Sequence, residues 1–291
     1  MRLKHKFNEG EFAVLAEIEP PKGVDVSGMI ANATRVKGRI DAFLVPEMSN
    51  AVMRMSALGA SMILQQKGME TVMQVCCRDR NRIALQADLL GAYACGIRNI
   101  MAVTGADPSF GDHHQARPVY DITLQELLQA VLTLRKGKDM AGIELQGAPD
   151  FLMGSMINAG EKGKSPGNLI DEMNRKTDAG AQFFMTQPLF DLSTIRDFLK
   201  QVDLQKIKMI PTVLLLKSVG MARYIRKNVN DIFIPDSLID RIQEASDKVR
   251  ECIQIASELI TAFNQEGFSG VLISTLGWED RISDILDERK G

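Results

Sequence analysis

The sequence has few of the residues from which metal and disulfide sites are built. Its 291 residues include four cysteines and three histidines, and no two cysteines have Cys-x-x-Cys spacing. We therefore expect small, reduced core cysteines and no metal site. The adjacent pair His113 and His114 is a weak metal motif, and an exposed loop pair is the simpler interpretation.

Charge of one sign and long apolar runs are also absent. The 35 basic residues are scattered and nearly balance the 37 acidic ones, which argues against a nucleic-acid partner. No apolar run approaches the roughly 20 residues that span a membrane. No apolar signal-peptide segment follows the basic N-terminus. We expect a cytoplasmic protein that binds neither a membrane nor nucleic acid.

Three common catalytic and nucleotide-binding signatures are missing as well. No Gly-x-Gly-x-x-Gly follows the first predicted strand, there is no P-loop, and there is no Ser–His–Asp pattern. These absences argue against the usual dinucleotide-binding sheet, against a P-loop enzyme and against a serine hydrolase.

What the sequence has is a regular alternation of two kinds of segment. Apolar, β-branched runs predict eight buried strands, and the segments between them have the apolar spacing of helices. Alternating strands and helices imply a parallel sheet with right-handed connections. Eight such units in 291 residues match a (β/α)8 TIM barrel; a doubly wound sheet is the alternative. The predicted strands are 12–18, 40–45, 71–76, 98–103, 141–146, 182–186, 207–214 and 270–274.

Two segments are predicted to be insertions in this barrel. The segment 229–266 predicts an extra helix between strands seven and eight, with Pro235 at its first helical position and a long amphipathic run over 238–263. This run fits either the barrel or a subunit interface, so a homo-oligomer is possible. A second insertion, 105–122, is rich in Gly, Pro, His and Asp. Without a linker or a low-complexity segment, we predict a single barrel domain over 1–291.

Acidic residues at the end of the first strand are candidates for chemistry. Glu17 and Glu19 lie at the end of the first apolar run, and Pro20 and Pro21 restrict the exit of the chain. Residues two apart on a strand point to one face. Two carboxylates held close raise one pKa, which suits a general acid. Two solvated glutamates at the rim of a barrel are an equally good interpretation of these residues alone.

Further polar residues follow strands three to six. After strand four, Gly105 permits close approach to a ligand and Asp107 suits a charged ligand ring, although a simple turn is the alternative. Gln187 follows strand six, and its amide suits the edge of a heterocycle or a bond to the backbone. Lys176 suits a phosphate or a solvated helix end. The segment 78–82 suits phosphates or the cap of the next helix.

Several of these segments, in this order, resemble the methylenetetrahydrofolate reductase family. Single motifs are weak, but six in register over roughly residues 10–285 are fairly specific. The matching motifs are Glu17-x-x-Pro20-Pro21, Cys77-Arg78-Asp79-Arg80, Gly105-Ala106-Asp107-Pro108, Lys176-x-Asp178-Ala179-Gly180-Ala181, Thr186-Gln187-Pro188 and Ile234-Pro235-Asp236.

The resemblance implies a (β/α)8 barrel that binds a flavin, usually FAD with FMN as the alternative, at the carboxyl ends of its strands. It implies hydride transfer through flavin N5 between methylenetetrahydrofolate and 5-methyltetrahydrofolate, in the one-carbon metabolism that serves methionine synthesis. Glu17 would be the general acid, Asp107 would lie near the pterin and the flavin, and Gln187 would bind the folate ring. The residues at positions of flavin contact are Gln74, Thr104, Gly105, Tyr120, Asn158 and Lys176.

The sequence departs from the family pattern at several positions. Gln74 replaces a frequent histidine, Thr104 replaces a frequent arginine, and Ala106 is an added residue. Glu19 replaces a usual aromatic residue, and Lys217 follows strand seven where many members have an aromatic residue that packs on nicotinamide or folate. The variant resembles versions from anaerobes, some of which work with a second, metal-containing protein. We therefore expect NADH or a partner subunit as the electron donor.

Two other classes of function are compatible with the sequence. A flavin-free pterin-binding barrel, such as a methyltransferase that passes a methyl group to a corrinoid protein, would keep pterin contacts without flavin contacts at Gly105 and Lys176. A non-catalytic scaffold subunit of a larger complex would need neither set of contacts.

Overall fold

Eight parallel strands form a closed barrel in the computed structural model, which describes residues 2–159 and 165–288. Each strand pairs with its neighbours in the sequence, and β1 pairs with β8 to close the barrel. The strands are β1 Ala13–Glu17, β2 Ala42–Val45, β3 Thr71–Cys76, β4 Asn99–Val103, β5 Leu152–Ile157, β6 Phe183–Pro188, β7 Lys208–Leu214 and β8 Gly270–Ser274. The α-helices are α1 Arg2–Glu9, α2 Ser27–Arg35, α3 Ala57–Gln66, α4 Arg82–Ala94, α5 Leu124–Arg135, α6 Pro166–Asp178, α7 Arg196–Leu199, α8 Val219–Asn228, α9 Asp236–Glu244, α10 Lys248–Gln265 and α11 Ile282–Glu288. The predicted (β/α)8 TIM-barrel fold is confirmed.

The fifth predicted strand, 141–146, is wrong. This segment belongs to a turn in which Glu144 makes an isolated antiparallel bridge with Lys138, and Ile143 is 65% exposed. β5 begins at Leu152 instead and pairs with β4 and β6. A short apolar run does not reveal which strands its backbone can reach, so the pairing in the barrel selected the later segment.

The single extra helix predicted between strands seven and eight also needs correction. Three helices, α8 to α10, connect β7 to β8. The amphipathic run 238–263 is divided between α9 and α10, because Ala245 is extended and Asp247 caps α10 by accepting from the N–H of Arg250 at 3.0 Å. Pro235 is the cap residue of α9 rather than its first helical residue. Within residues 2–159 and 165–288, no helix is both long and apolar enough to cross a membrane.

The core has one layer between the barrel and the helices and a second layer inside the barrel. At the amino-terminal end of the strands, Leu3 and Phe7 of α1 join the inner layer, and the ring centroids of Phe7 and Phe183 are 5.9 Å apart. Gly154 makes room for Phe183, since a Cβ on Gly154 would lie 2.2 Å from that ring. Apolar side chains therefore close this end. We call the opposite end, where the strands reach their carboxyl termini, the barrel mouth.

Candidate functional site

Polar residues, among them Glu17, Gln74, Asn158 and Ser274, extend the inner face of the barrel into its mouth. Side chains alternate along a strand, so a residue two positions beyond an inner core residue shares its face. The inner core residues in question are Leu15, Val72, Met156 and Leu272. The polar residues two positions later are Glu17, Gln74, Asn158 and Ser274. The fold thus brings together three of the predicted site residues, and it adds Ser274, which the sequence analysis did not consider.

The carboxyl group of Glu17 is suited to hold a proton near neutral pH. Glu17 is the last residue of β1, and its Oε1 accepts a hydrogen bond from the hydroxyl group of Ser274 at 3.1 Å. Burial raises the pKa of Glu17 to about 7, with a downward contribution from Ser274 and smaller upward contributions from Glu19 and Glu279. A carboxyl group with this pKa exchanges its proton readily at neutral pH, as general acid catalysis requires.

Glu19 contributes less to this pKa than burial does. Its carboxylate forms an ion pair with Nε of Arg54 at 3.0 Å. Burial raises the pKa of Glu19, Arg54 lowers it, and Glu279 raises it. The sequence predicted that proximity of two carboxylates would perturb Glu17, whereas the first cause in the structure is burial of Glu17 itself.

A buried glutamate that the sequence analysis missed orients Gln74. The side-chain Oε1 of Gln74 accepts from the backbone N–H of Glu47 at 3.1 Å, so the amide NH2 of Gln74 is the group that remains to donate to a ligand. The carboxylate of Glu47 is 3% exposed, accepts from the backbone N–H of Ala57 at 2.7 Å and contacts Arg80. Glu47 lies two residues beyond an apolar strand, much as Glu17 ends one, and this pattern is the sequence signal that points to it.

Two amide oxygens after β5 and near the end of β6 have unused hydrogen-bonding capacity. Oε1 of Gln187 and Oδ1 of Asn158 are buried, and neither has a hydrogen-bond partner among residues 2–159 and 165–288. The Nδ2 of Asn158 donates to Oδ2 of Asp231 at 2.8 Å, which sets the direction of this amide. Because a buried acceptor without a partner is unfavourable, this pair fits the N–H groups of a ligand.

An irregularity in the pairing of β6 with β7 shapes the backbone around Gln187. The register shifts between Met185 and Pro188. Thr212 spans the irregularity, since its Oγ1 donates to the carbonyl oxygen of Thr186 at 2.7 Å. Such bulges commonly redirect side chains beside active sites. Gln187 thus owes its setting to a feature that the strand pattern does not show.

The loop after β4 is shaped by packing within the protein. Gly105 has a φ of +91°, and a Cβ there would lie 2.3 Å from Sγ of Cys76, so both conformation and space require glycine. The hydroxyl group of Tyr120 donates to the carbonyl oxygen of Gly105 at 3.3 Å, and Thr104 is exposed. These contacts explain the loop without a ligand, and flavin contacts at Thr104, Gly105 and Tyr120 stay predictions.

Asp107 and Lys176 both have partners inside the protein. Asp107 is exposed and caps a short 3₁₀ helix by accepting from the N–H of Ser109 at 2.8 Å. The side chain of Ser109, and then its backbone N–H, lower the pKa of Asp107. Nζ of Lys176 donates to the carbonyl oxygen of Met156 at 2.7 Å and pairs with Glu172. These contacts favour the simpler structural interpretations, and the catalytic and ligand-binding roles of the two residues stay predictions.

The segment after β3 ties two loops together. Arg78 is 3% exposed, pairs with Asp79 at 2.7 Å and donates to the carbonyl oxygen of Ala106 at 3.0 Å. Asn81 caps α4 by accepting from the N–H of Ala84 at 3.0 Å. Helix capping is confirmed for Asn81, whereas Asp79 pairs with Arg78, and a phosphate-binding role of this segment stays a prediction.

The single tryptophan lies near the barrel mouth. Lys217, which follows β7, donates to the carbonyl oxygen of Leu276, and its Nζ lies 5.2 Å from the centroid of the Trp278 ring. Leu276 is 51% exposed and has a φ of +47°, an uncommon conformation for such a residue. Trp278 therefore supplies an aromatic ring beside the loop that has Lys217 where the family pattern has an aromatic residue.

Comparison with known proteins agrees with this fold and shows the family. The solved structure of EDTA monooxygenase (EmoA) from Chelativorans sp. BNC1 has a TM-score of 0.58 and 12% identity, over 96% of this chain and 93% of that chain. A curated protein, Methylenetetrahydrofolate reductase 2 from Schizosaccharomyces pombe (strain 972 / ATCC 24843), is 25% identical over 196 residues. That match covers 64% of this chain and 29% of the length of the fission-yeast protein. Residues 2–290 match the family model described as Methylenetetrahydrofolate reductase, and the chain therefore belongs to the methylenetetrahydrofolate reductase family.

Proposed function

We propose that this protein is a flavin-dependent oxidoreductase that reduces 5,10-methylenetetrahydrofolate to 5-methyltetrahydrofolate, with Glu17 as the general acid. Membership of the family supports the reaction class. The observation that carries the proposal is the Glu17 carboxyl group, whose pKa of about 7 at the mouth of a closed barrel suits proton transfer at neutral pH. The carboxyl ends of the strands are where (β/α)8 enzymes have their active sites.

The polar groups at the barrel mouth fit a flavin and a pterin. Both rings carry N–H donors beside carbonyl acceptors. Asn158 and Gln187 offer buried oxygens that lack a partner among the described residues, and Gln74 offers an amide NH2. In this proposal Gln187 binds the pterin ring of the folate, while Gln74 and Asn158 hold the flavin. The bound flavin, FAD or FMN, supplies hydride transfer.

The protein itself supplies the proton for the reaction and a barrel that is closed at one end. The methylene carbon of the substrate is bonded to N5 and N10, and Glu17 gives its proton to N10 as the bond between N10 and this carbon breaks. This bond must break before the bridge can become a methyl group, and a nitrogen leaves more readily when it is protonated. Leu3 and Phe7 close the far end of the barrel, so that substrate and solvent meet at the mouth.

The remaining predicted contacts surround this set. We propose that Thr104, Gly105 and Tyr120, which meet in the loop after β4, contact the flavin, and that Asp107 lies beside the folate and the flavin. Lys176 would contact the flavin after its ammonium group breaks its hydrogen bond to the carbonyl oxygen of Met156. The exposed position of Asp107 leaves its carboxylate accessible to a ligand.

The test of the proposal is the replacement of Glu17 in the flavin-loaded protein. Glu17→Gln keeps the size of the side chain and removes the transferable proton, so we expect turnover of methylenetetrahydrofolate to fall by about 10²-fold or more. Unchanged flavin absorbance would show that the site is intact. Glu19→Gln is the matched control, because Glu19 lies on the same strand end and pairs with Arg54. Full activity of Glu17→Gln would contradict the proposal.

We propose NADH or a partner subunit as the electron donor. The replacement of the usual aromatic residue by Lys217, next to Trp278, supports a donor site that differs from the common family pattern. Full activity with NADH alone, and no electron-transfer protein that co-purifies, would remove the partner. A colourless protein that takes up neither FAD nor FMN would instead favour the flavin-free methyltransferase.

A further inference from the structure

Ser274 meets Glu17 because the barrel closes. β1 and β8 pair in parallel, with Ala16 opposite Ile273, and the next residue on each strand is Glu17 and Ser274. The two residues are 257 positions apart in the sequence. Their contact therefore depends on the closing pair of strands rather than on any local motif.

The hydroxyl group of Ser274 is placed to control the carboxyl group of Glu17. Ser274 is 6% exposed, and its Oγ lies 3.1 Å from Oε1 of Glu17. Among the described residues, no hydrogen bond reaches the other carboxyl oxygen, Oε2. A serine hydroxyl that donates to Oε1 leaves the proton of the neutral acid on Oε2, whereas a proton on Oε1 would be engaged by the serine oxygen.

We propose that Ser274 is a positioning residue for proton transfer by Glu17. Its hydroxyl group holds Oε1, so that the acidic proton is carried on Oε2 and the carboxyl group keeps one orientation in the barrel mouth. This inference rests on the proposed function of Glu17 as the general acid. It assigns a role to a residue outside all the motifs that link the chain to its family.

The charged groups around Glu17 explain why this hydroxyl group matters. Burial, Glu19 and Glu279 all raise the pKa of Glu17, and Ser274 lowers it. The carboxylate of Glu19 is itself paired with Arg54. Without the hydroxyl group, burial and the two neighbouring carboxylates would remain, and Glu17 would hold its proton more tightly and transfer it more slowly.

The experiment replaces Ser274 in the flavin-loaded protein and follows Glu17 in two ways. The first is an infrared titration of the carboxyl C=O band, assigned by its loss in Glu17→Gln, and the second is the pH profile of kcat. In Ser274→Ala we expect the titration midpoint and the alkaline limb of kcat to move to higher pH. We expect kcat on the plateau to fall by about tenfold, less than the roughly 10²-fold loss expected without the acid. Ser274→Thr retains the hydroxyl group and restores both readouts.

Ser155→Ala is the control, because Ser155 is also a buried strand serine, and its hydroxyl group donates to the carbonyl oxygen of Ala102 at 3.3 Å. An unmoved midpoint in Ser274→Ala, in a protein that reduces methylenetetrahydrofolate, overturns the inference and leaves the proposed function intact. A moved midpoint in a protein that does not reduce this folate overturns the proposed function, and it supports only the hold of Ser274 on Glu17.

Discussion

The guanidinium group of Arg80, in the loop after β3, pairs with the buried carboxylate of Glu47 beyond the end of β2. The same guanidinium group pairs with Asp88 in α4. The backbone N–H of Glu47 in turn donates to Gln74 at the barrel mouth. An ion pair between the partly buried Arg80 and the buried Glu47 therefore lies behind Gln74, one of the residues proposed to hold the flavin.

Removal of Arg80 is expected to destabilise the fold. Arg80→Met leaves the Glu47 carboxylate buried without its cation, and loss of one partner of a buried pair lowers the free energy of unfolding by about 3–5 kcal/mol. Lys200→Met is the control, since Lys200 and Asp197 form an exposed pair on α7 and its flank, and it should change stability little. Urea denaturation of both variants measures the difference. Equal midpoints would show that Arg80 does not stabilise Glu47.

The stability of the protein is expected to depend on the protonation of Glu17. The folded protein holds this proton up to a pH of about 7, because burial raises the pKa of Glu17 from 4.5. Between these values the folded state binds more protons than the unfolded chain, so this residue's contribution to stability falls as pH rises. Glu17→Gln has no proton to lose. Relative to wild type, the free energy of unfolding of this variant should rise by up to about 3 kcal/mol as the pH goes from about 4.5 to about 8.

Urea denaturation of wild type and Glu17→Gln at both pH values tests this coupling. The gain should appear at alkaline pH, where wild-type Glu17 is a buried carboxylate. A stability difference that is the same at both pH values would mean that Glu17 titrates alike in the folded and unfolded chain. The proposed acid would then lack its physical basis.

Alanine at position 105 is expected to destabilise the fold much more than alanine at another glycine position with positive φ. Gly105→Ala combines backbone strain with a Cβ 2.3 Å from Sγ of Cys76, and we expect a loss of about 2–5 kcal/mol. Gly137 has a φ of +77° and nothing within 4 Å of its Cβ position, so Gly137→Ala should cost about 1–2 kcal/mol. Denaturation curves give both values. A double-mutant cycle with Cys76→Ala should show the coupling between the two sites.

The four cysteines are expected to differ sharply in reactivity. Cys95 is exposed, whereas Cys76, Cys77 and Cys252 are buried. Burial raises the pKa of Cys77 to about 12 and that of Cys252 to about 11, and it also raises the pKa of Cys76. A disulfide reagent should therefore modify one thiol rapidly in the native protein and all four after unfolding. Cys95→Ser should abolish the rapid phase; a second rapid thiol would contradict the buried positions.

This pattern also corrects one expectation from the sequence. Three of the cysteines are core residues, as expected, but Cys95 follows α4 at the surface. Cysteine as a residue type is usually buried, and this preference gave the expectation. Cys95 is exposed because it occupies the C-cap position of α4, where the chain turns toward β4.

The sequence by itself determined the barrel and the end of it at which the predicted site residues gather. Strand and helix periods are local properties of a chain, so alternating runs were enough to predict the fold and seven of the eight strands. The position of Glu17 at the end of the first apolar run is likewise visible in the sequence. Parallel strands direct their carboxyl ends to one side, and this rule alone gathers Glu17, Gln74 and Gln187 at one end.

Only the tertiary structure decided which groups meet and what their surroundings do to them. The segment used as β5 and the contact of Ser274 with Glu17 both depend on partners distant in sequence. Burial in the closed barrel, rather than the neighbouring Glu19, is the first cause of the raised pKa of Glu17. A local pattern shows that a residue is acidic, but burial and hydrogen bonds from distant strands decide where its proton resides.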